Sequence, residues 1–121
     1  MSSLHPKPVD FMSTSRKDLK SFPEPVQKLV GIALFYAQLG TKHDQVKPLK
    51  GFGGTSILEV IENYDGDTYR AVYTVRFSEV VYVLHCFQKK SKTGIKTPQS
   101  DIELIKQRLK LAEQDWRNRT Q

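Results

Sequence analysis

The middle of the chain, residues 55–92, is the stretch that most constrains the fold, because it predicts three β-strands in direct succession. All three candidates are rich in β-branched and aromatic residues, which favour strands. Asp65-Gly66 lies between the first two, and an Asp-Gly pair readily adopts the positive φ angles of a tight hairpin. Ser78-Glu79 predicts a second short turn. The predicted strands are residues 57–63, 68–77 and 80–87.

A pair of helices is predicted before these strands. The hydroxyl residues at positions 13–15 can cap a short helix that ends at Lys20. Ser21, with Glu24 three residues later, predicts the start of a second helix, and Gly40 is expected just after its end. Apolar residues at helical spacing indicate a face of this second helix that packs on the sheet. They are Val26, Leu29, Val30, Ala33, Leu34 and Phe35.

A last helix is predicted after the strands. Thr97 is expected as its cap and Pro98 as its first residue. An apolar stripe follows at three- and four-residue steps, which indicates packing on the sheet or on a partner. The stripe consists of Ile102, Ile105, Leu109, Ala112 and Trp116.

These elements predict an α+β fold with a small antiparallel sheet, a helical pair and a C-terminal helix. Residues 7–12 are a possible N-terminal edge strand, and residues 41–50 are predicted to be a polar connection. The length suits one domain spanning residues 1–121. Residues 1–6 and 118–121 are expected to be frayed.

The charge of the chain favours a polyanionic partner. The formal net charge is +6 and the isoelectric point is about 9.5, which is typical of proteins that bind RNA, DNA or an acidic protein. Cys86 is the one cysteine, so no internal disulfide indicates an oxidising compartment. No apolar run approaches the roughly 20 residues of a membrane span, and no signal peptide is apparent. The expected location is the cytoplasm.

Metal and cysteine chemistry receive little support from the sequence. The histidines are far apart and no paired-ligand motif occurs, so no metal and no cofactor are predicted. His85 and Cys86 are adjacent on one predicted strand and are expected on opposite faces, which does not suit a nucleophilic pair. Cys86 is therefore predicted to be a packed residue.

Positive charge gathers around the last two strands and the segment after them. The residues concerned are Arg70, Lys89, Lys90, Lys92 and Lys96. One interpretation is a phosphate-binding site formed by basic side chains. The other is a solvated lysine-rich loop, and charge alone leaves both open.

Several short motifs resemble one family of proteins. Ile57-Leu58-Glu59 is followed by Tyr69-Arg70-Ala71-Val72-Tyr73 and by the run from Leu84 to Lys92, and then by Lys96-Thr97-Pro98. Together with Leu49-Lys50-Gly51-Phe52-Gly53, these motifs resemble the HigB-like toxins, the phage-derived branch of the RelE/ParE superfamily. Ser15-Arg16-Lys17-Asp18-Leu19 resembles the opening of that superfamily. The resemblance covers about residues 9–111.

The resemblance implies the toxin of a type II toxin–antitoxin pair. Such toxins commonly cleave mRNA on the ribosome without a metal ion, and an antitoxin with a helix-turn-helix domain neutralises them. Relatives often carry a basic residue two positions after the glutamate that matches Glu59, whereas this chain has Ile61. The alternative is therefore a non-catalytic toxin that binds a target such as DNA gyrase.

The predicted site combines this resemblance with the positions of the basic residues. Arg70 is expected to face solvent and to hold a phosphate, with Lys89 and Lys90 as cationic stabilisers or base. Tyr73 is either a site residue or core, because alternation places it on the face opposite Arg70. His85 is either the acid or a packed histidine that shares a face with Val81, Val83 and Phe87. The predicted RNA-binding residues are Lys47, Lys50, Lys92 and Lys96.

Overall fold

A computed structural model describes residues 5–89 and 96–121. Within these two ranges the chain forms five strands and three helices, in the order β1, α1, α2, β2, β3, β4, β5, α3. The strands are β1 (Val9–Phe11), β2 (Val46–Pro48), β3 (Ile57–Tyr64), β4 (Asp67–Thr74) and β5 (Val81–Lys89). The helices are α1 (Ser15–Lys20), α2 (Glu24–Gln38) and α3 (Gln99–Arg119).

The predicted three-strand meander forms the centre of the sheet. Strands β3, β4 and β5 pair antiparallel in sequence order, and the whole sheet has the order β1-β5-β4-β3-β2. Asp65 and Gly66 have φ angles of 51° and 87°, as the predicted Asp-Gly hairpin requires. Strand β1 lies parallel to β5, which confirms the N-terminal edge strand. The α+β fold class is confirmed.

Two strand boundaries differ from the prediction. Residues 41–50 were expected to be a connection, yet β2 lies within them and pairs with β3. This strand is only three residues long and buries Val46 alone, which is too short for a periodic pattern. Strand β4 ends at Thr74 rather than at residue 77. The Thr74 hydroxyl donates to the Ser56 carbonyl and accepts from the Arg76 amide, which turns the chain out of the sheet.

The sheet has an apolar layer on each side. One side, called here the α2 face, packs against α1 and α2 through Val60, Ala71, Tyr73 and other side chains. The other side, called the α3 face, packs against α3 through residues that include Ile57, Val72 and Leu84. The helical pair and the C-terminal helix therefore cover opposite sides of one sheet.

A β-bulge in β5 changes the direction of the side chains after it. Val72 is opposite His85 whereas Tyr73 is opposite Val83, so Leu84 is an extra residue in β5. His85 consequently lies on the α3 face with Phe87, while Val83 packs on the α2 face. The prediction that His85 shares a face with Val81 and Val83 is wrong for this reason. The predicted opposition of His85 and Cys86 is confirmed.

The helix starts are shifted from their predicted positions. Ser21 ends α1, and its hydroxyl donates to the Asp18 carbonyl over 2.6 Å, so Pro23 takes the N-cap position of α2. Pro98 takes the N-cap position of α3, and Thr97 does not cap that helix. Gly40 follows the end of α2 with a φ of 83°, as predicted.

The outer side of α2 is more apolar than expected. Phe35 was assigned to the packed face, but 48% of it is exposed. Ile32 and Tyr36 are exposed beside it, because these three residues project from the side of the helix away from the sheet. The buried side is formed by Val26, Val30, Ala33, Leu34 and Ala37.

Helix α3 packs on the sheet along its predicted stripe. Ile105 and Ala112 are fully buried, and the Trp116 ring lies 5.9 Å from the Phe77 ring between centroids. The C-terminal end was expected to be frayed, yet Arg119 is the last helical residue and forms ion pairs with Asp10 and Asp115. None of the helices in the described part of the chain is long and apolar enough to cross a membrane.

Ile105 and Leu111 give a direct test of how α3 docks. Ile105 is 0% exposed and Leu111 is 49% exposed. Ile105→Ala should lower the free energy of unfolding by about 2–5 kcal/mol, because it leaves a cavity under the helix. Leu111→Ala should change it by less than about 0.5 kcal/mol. Urea denaturation of both variants measures this, and equal losses would contradict the observed packing.

Candidate functional site

Charged and polar side chains form a cluster between the sheet and the first half of α3. Glu59, Arg70 and His85 come from the adjacent strands β3, β4 and β5 and point to the α3 face, where α3 contributes Arg108. All four residues are buried. Burying charged groups is costly unless they are paired, so their partners define the cluster. The buried polar cluster consists of Glu59, Arg70, His85, Thr97, Asp101 and Arg108.

Arg70 lies at the centre of the sheet and is held on two sides. Its Nη1 atom is 3.5 Å from Oε2 of Glu59 and donates a hydrogen bond of 3.1 Å to Oγ1 of Thr97. Only 2% of Arg70 is exposed, so the prediction of a solvent-facing arginine is wrong. Alternation along a strand predicts which face a residue is on, but it does not show that a helix covers that face.

Glu59 is the carboxylate of the cluster. Burial raises the pKa of Glu59 above its ordinary value, because a buried carboxylate loses its hydration. The positive charges of Arg70 and Lys47 and a hydrogen bond from Thr97 act in the opposite direction without cancelling the effect of burial on the pKa. The folded chain therefore favours the protonated form of Glu59 more than water does, and the basic side chains around Glu59 reduce this preference.

His85 connects β5 to α3. Its Nε2 atom is 2.7 Å from Oδ1 of Asp101, and its Nδ1 atom is 3.2 Å from Nη1 of Arg108. A guanidinium group only donates, so Nδ1 accepts and Nε2 carries the proton that is donated to Asp101. The ring also stacks on Phe87 at 4.6 Å between centroids. The structure therefore places His85 as the packed histidine, one of the two interpretations that the sequence left open.

Arg108 and Asp101 were not predicted as site residues, although their spacing along α3 could have identified them. Arg108 donates to His85, to the Leu84 carbonyl at 3.0 Å and to the Thr14 hydroxyl at 3.2 Å, so it ties α3 to both β5 and the start of α1. Asp101 and Arg108 fall at the same three- and four-residue steps as the apolar stripe of α3. A charged residue within an apolar stripe indicates a buried polar contact.

Tyr73 and Cys86 lie on the other side of the sheet. Both belong to the α2 face, so Tyr73 is core and does not share a site with Arg70. Burial raises the pKa of the Tyr73 hydroxyl to about 12 and that of the Cys86 thiol to about 12. Cys86 is consequently a protonated, packed thiol, as predicted.

The predicted basic residues fall into separate groups. Lys47 lies directly opposite Glu59, and the exposed Lys96 immediately precedes Thr97, so both are next to the buried polar cluster. Lys89 is partly exposed at the end of β5. Lys50 follows β2 at the other end of the sheet, about 20 Å from Lys89 along the strand direction at roughly 3.3 Å per residue. Lys90 and Lys92 lie outside the described residues.

No site for a metal ion is apparent in the described part of the chain. Residues 5–89 and 96–121 contain no group of three or more histidine, cysteine, aspartate or glutamate side chains placed to hold one. The described residues of the cluster supply cations, hydrogen-bond donors and the buried carboxylate of Glu59.

The fold is that of the RelE toxins. The chain superposes on a double arginine-to-alanine mutant of the Escherichia coli toxin RelE in the free state with a TM-score of 0.53 and 18% identity, covering 74% of this chain and 88% of RelE. The RelBE2 toxin–antitoxin complex of Mycobacterium tuberculosis gives a TM-score of 0.46 and 21% identity, covering 75% of this chain and 100% of the matched one. A comparison with curated proteins found no match.

The family follows from the sequence match. Residues 17–110 match the model of the phage-derived Gp49-like proteins, which is most of the chain. The chain therefore belongs to the phage-derived Gp49-like family. The resemblance seen in the sequence motifs is confirmed for the phage-derived family and for the RelE-type fold.

The raised pKa of Glu59 predicts a pH-dependent effect on stability. The ordinary value is 4.5, so between that pH and the raised value the folded chain binds a proton that the unfolded chain does not. Wild-type protein should thus gain free energy of unfolding, relative to Glu59→Gln, as the pH falls from neutral through this window. Urea titrations of both proteins between pH 7.5 and pH 4.5 measure the difference. A difference that does not change with pH down to the ordinary pKa of 4.5 would contradict the raised pKa of Glu59.

Proposed function

We propose that this chain is the toxin of a type II toxin–antitoxin system and that it inhibits translation by cleaving mRNA on the ribosome, in the cytoplasm. The observation that carries this proposal is a RelE-type fold, matched over 88% of the RelE chain, in a member of a phage-derived family. The basic residues at the edge of the α3 face add support, because an RNA substrate needs cations at the phosphate.

Cleavage by the 2′-hydroxyl of RNA sets the chemical requirements. The reaction needs a base for the hydroxyl proton, cations for the charged phosphorane and an acid for the departing 5′-oxygen, and it needs no metal ion. Lys89 is partly exposed, and we propose it as a cationic stabiliser or base together with Lys90. Arg70, Tyr73 and His85 are buried, so we assign none of them a direct contact with RNA in this conformation.

The ribosome has a defined role in this proposal. An enzyme with few exposed acid–base groups gains most of its rate from an exact alignment of the 2′-hydroxyl with the scissile phosphate. The ribosome holds mRNA in such an alignment. The toxin then has to supply mainly positive charge, which agrees with its net charge of +6.

We propose an antitoxin with a helix-turn-helix domain as the protein partner. A segment of this antitoxin, acidic or extended, would cover the basic surface, because a cationic protein favours an anionic complement. An antitoxin segment bound over Lys47, Lys89 and Lys96 would also prevent RNA phosphates from reaching these lysines. Copurification of the chain with the product of a neighbouring gene tests this pairing.

A second candidate function is a toxin that binds its target without cleaving it, such as one that binds DNA gyrase. Two observations favour it. Ile61 is directly opposite Arg70 in the sheet, so the position where relatives often carry a basic residue is apolar. Arg70 itself is buried and donates a hydrogen bond to Thr97, just before α3.

Expression without a partner separates these possibilities. Induction in a bacterium should stop growth, and mapping of mRNA ends should reveal cuts inside translated reading frames. Growth arrest with intact mRNA would instead support the second candidate. Unimpaired growth with abundant folded protein would contradict the toxin proposal itself.

Ile61 allows a gain-of-function test of the cleavage proposal. Ile61→Arg places a guanidinium next to Arg70, and one well-placed donor can raise a rate by about 100-fold. We expect cleavage of ribosome-bound mRNA to increase by at least about tenfold. Ile61→Gln, which is polar but uncharged, is the matched control. Equal rates of mRNA cleavage for the arginine and glutamine variants would show that cleavage does not take place beside residue 61.

A further inference from the structure

The outer side of α2 carries three large apolar side chains next to one another. Ile32 and Phe35 are each 48% exposed and Tyr36 is 39% exposed, and they lie within about one turn of the helix. The other large apolar side chains that are exposed in residues 5–89 and 96–121, Tyr64 and Leu111, lie singly on β3 and α3. Contiguous exposed apolar surface is typical of a face that a partner covers. This face, called here the outer α2 stripe, consists of Gly31, Ile32, Phe35, Tyr36 and Leu39.

The outer α2 stripe carries no charge. Residues 29–41 contain no aspartate, glutamate, lysine or arginine, although 26% of the whole chain consists of these residues. A helix face that stays in water normally carries charged or polar side chains. The net charge of +6 therefore contributes little to binding at this stripe, and an acidic partner has no particular advantage there. The surface that fits the stripe is one that is also apolar and uncharged.

Gly31 lies within this stripe, in the interior of α2, where glycine is less favourable than alanine. A Cβ atom at this position would meet nothing within 4 Å, so packing inside the described part of the chain does not require a glycine here. The absent side chain leaves a hollow one turn before Phe35, on the same side of the helix. A second helix can approach the backbone closely at such a hollow. Gly31 and Phe35 thus form a hollow and a projection side by side.

These two features complement each other when two copies of α2 meet antiparallel. If Phe35 of one copy packs on Gly31 of the partner subunit, two-fold symmetry makes the reverse contact as well. In the same register Glu24 lies level with Lys42 of the partner subunit, because residues 24 and 42, like residues 31 and 35, are placed evenly about position 33. Glu24 and Lys42 are both exposed, and opposite charges there favour this register. The antiparallel arrangement also brings opposite ends of the two helix dipoles together.

We propose that the outer α2 stripe is the interface between two copies of this chain, which pair antiparallel through α2 with Phe35 of each copy against Gly31 of the partner subunit. This inference goes beyond the proposed function and does not depend on it. Helices α2 and α3 cover opposite sides of the sheet, so pairing through α2 does not cover the side on which the buried polar cluster lies. One pair of short helices buries less area than a standard interface, so we expect a weak dimer with a Kd on the order of 1–100 µM.

Gly31→Leu separates dimerisation from folding. Leucine is a better helix former than glycine and its Cβ finds open space in the monomer, so the melting temperature should rise at concentrations where the chain is monomeric. The same leucine fills the hollow that receives Phe35 of the partner subunit. We expect the dimer Kd of the full chain, purified alone and measured by sedimentation equilibrium, to rise at least about tenfold. A variant that is more stable and yet less dimeric has not lost its dimer through misfolding.

Phe35→Ser and Leu111→Ser form a matched pair. The two side chains are 48% and 49% exposed, so neither substitution should affect folding strongly. Phe35→Ser should raise the dimer Kd at least about tenfold, because it removes the side chain packed at the centre of the interface. Leu111→Ser, on α3, should leave the dimer Kd unchanged. Equal weakening by both substitutions would indicate non-specific association of exposed apolar residues and would overturn the proposal.

Charge reversal at the two ends of the stripe tests the antiparallel register. Glu24 forms an exposed ion pair of 3.8 Å with Lys28 in its own chain, and such a pair contributes little to stability. Glu24→Lys and Lys42→Glu should each raise the Kd of their own dimer about threefold to fivefold, because each places like charges opposite each other twice. An equimolar mixture of the two variants should recover the wild-type Kd, since every such contact then joins opposite charges. A mixture that associates no better than either variant alone would contradict the register.

Three further outcomes would each overturn the interface between two copies. The first is a wild-type chain that sediments as a monomer at concentrations well above about 100 µM. The second is a dimer that neither Gly31→Leu nor Phe35→Ser weakens. The third is a chain that is monomeric alone but loses copurification with the product of a neighbouring gene in Phe35→Ser, because a different protein then covers the stripe. Growth arrest and mRNA cleavage test the proposed function separately from all of these results.

Discussion

The packing of α3 against the sheet is the contact on which the rest of the structure depends. The sheet has two apolar faces, and α1 and α2 can cover only one of them. Helix α3 covers the other face with apolar side chains such as Ile105 and Ala112. Its first half also covers the buried polar cluster, through Asp101 and Arg108. One helix thus joins a hydrophobic contact that stabilises the fold to a polar contact that fixes the geometry of the candidate site.

Much of the fold was predictable because each central element has a long local signal. The meander was evident from β-branched runs and an Asp-Gly turn, and the stripe of α3 from its helical spacing. Strand β2 was not predicted because three residues are too few to show the alternation of apolar and polar side chains that indicates a strand. The bulge at Leu84 was missed because an extra residue in a strand is visible only in its pairing with a neighbour. Alternation correctly separated Arg70 from Tyr73, since it depends on the backbone of β4 alone.

The candidate site was less predictable than the fold. The sequence identified Lys47 as a basic residue, but its proximity to the Glu59 carboxylate arises from the pairing of β2 with β3. Glu59 and Arg108 were not predicted as site residues because each lies among apolar residues, and that local pattern indicates a hydrophobic core. Arg70 is buried and hydrogen-bonds to Thr97, which lies 27 positions later in the chain, and no local pattern reveals this contact.

The bulge in β5 has a consequence for comparing this chain with its relatives. Leu84 is the residue left without a partner in β4, so a relative with one residue fewer in this strand keeps the same faces if the missing residue is the one equivalent to Leu84. A deletion placed at Cys86 instead would turn Phe87 and Lys89 to the opposite side of the sheet. Alignment gaps in this strand therefore belong at the bulge, and moving a gap by two positions would assign the basic end of β5 to the wrong side of the protein.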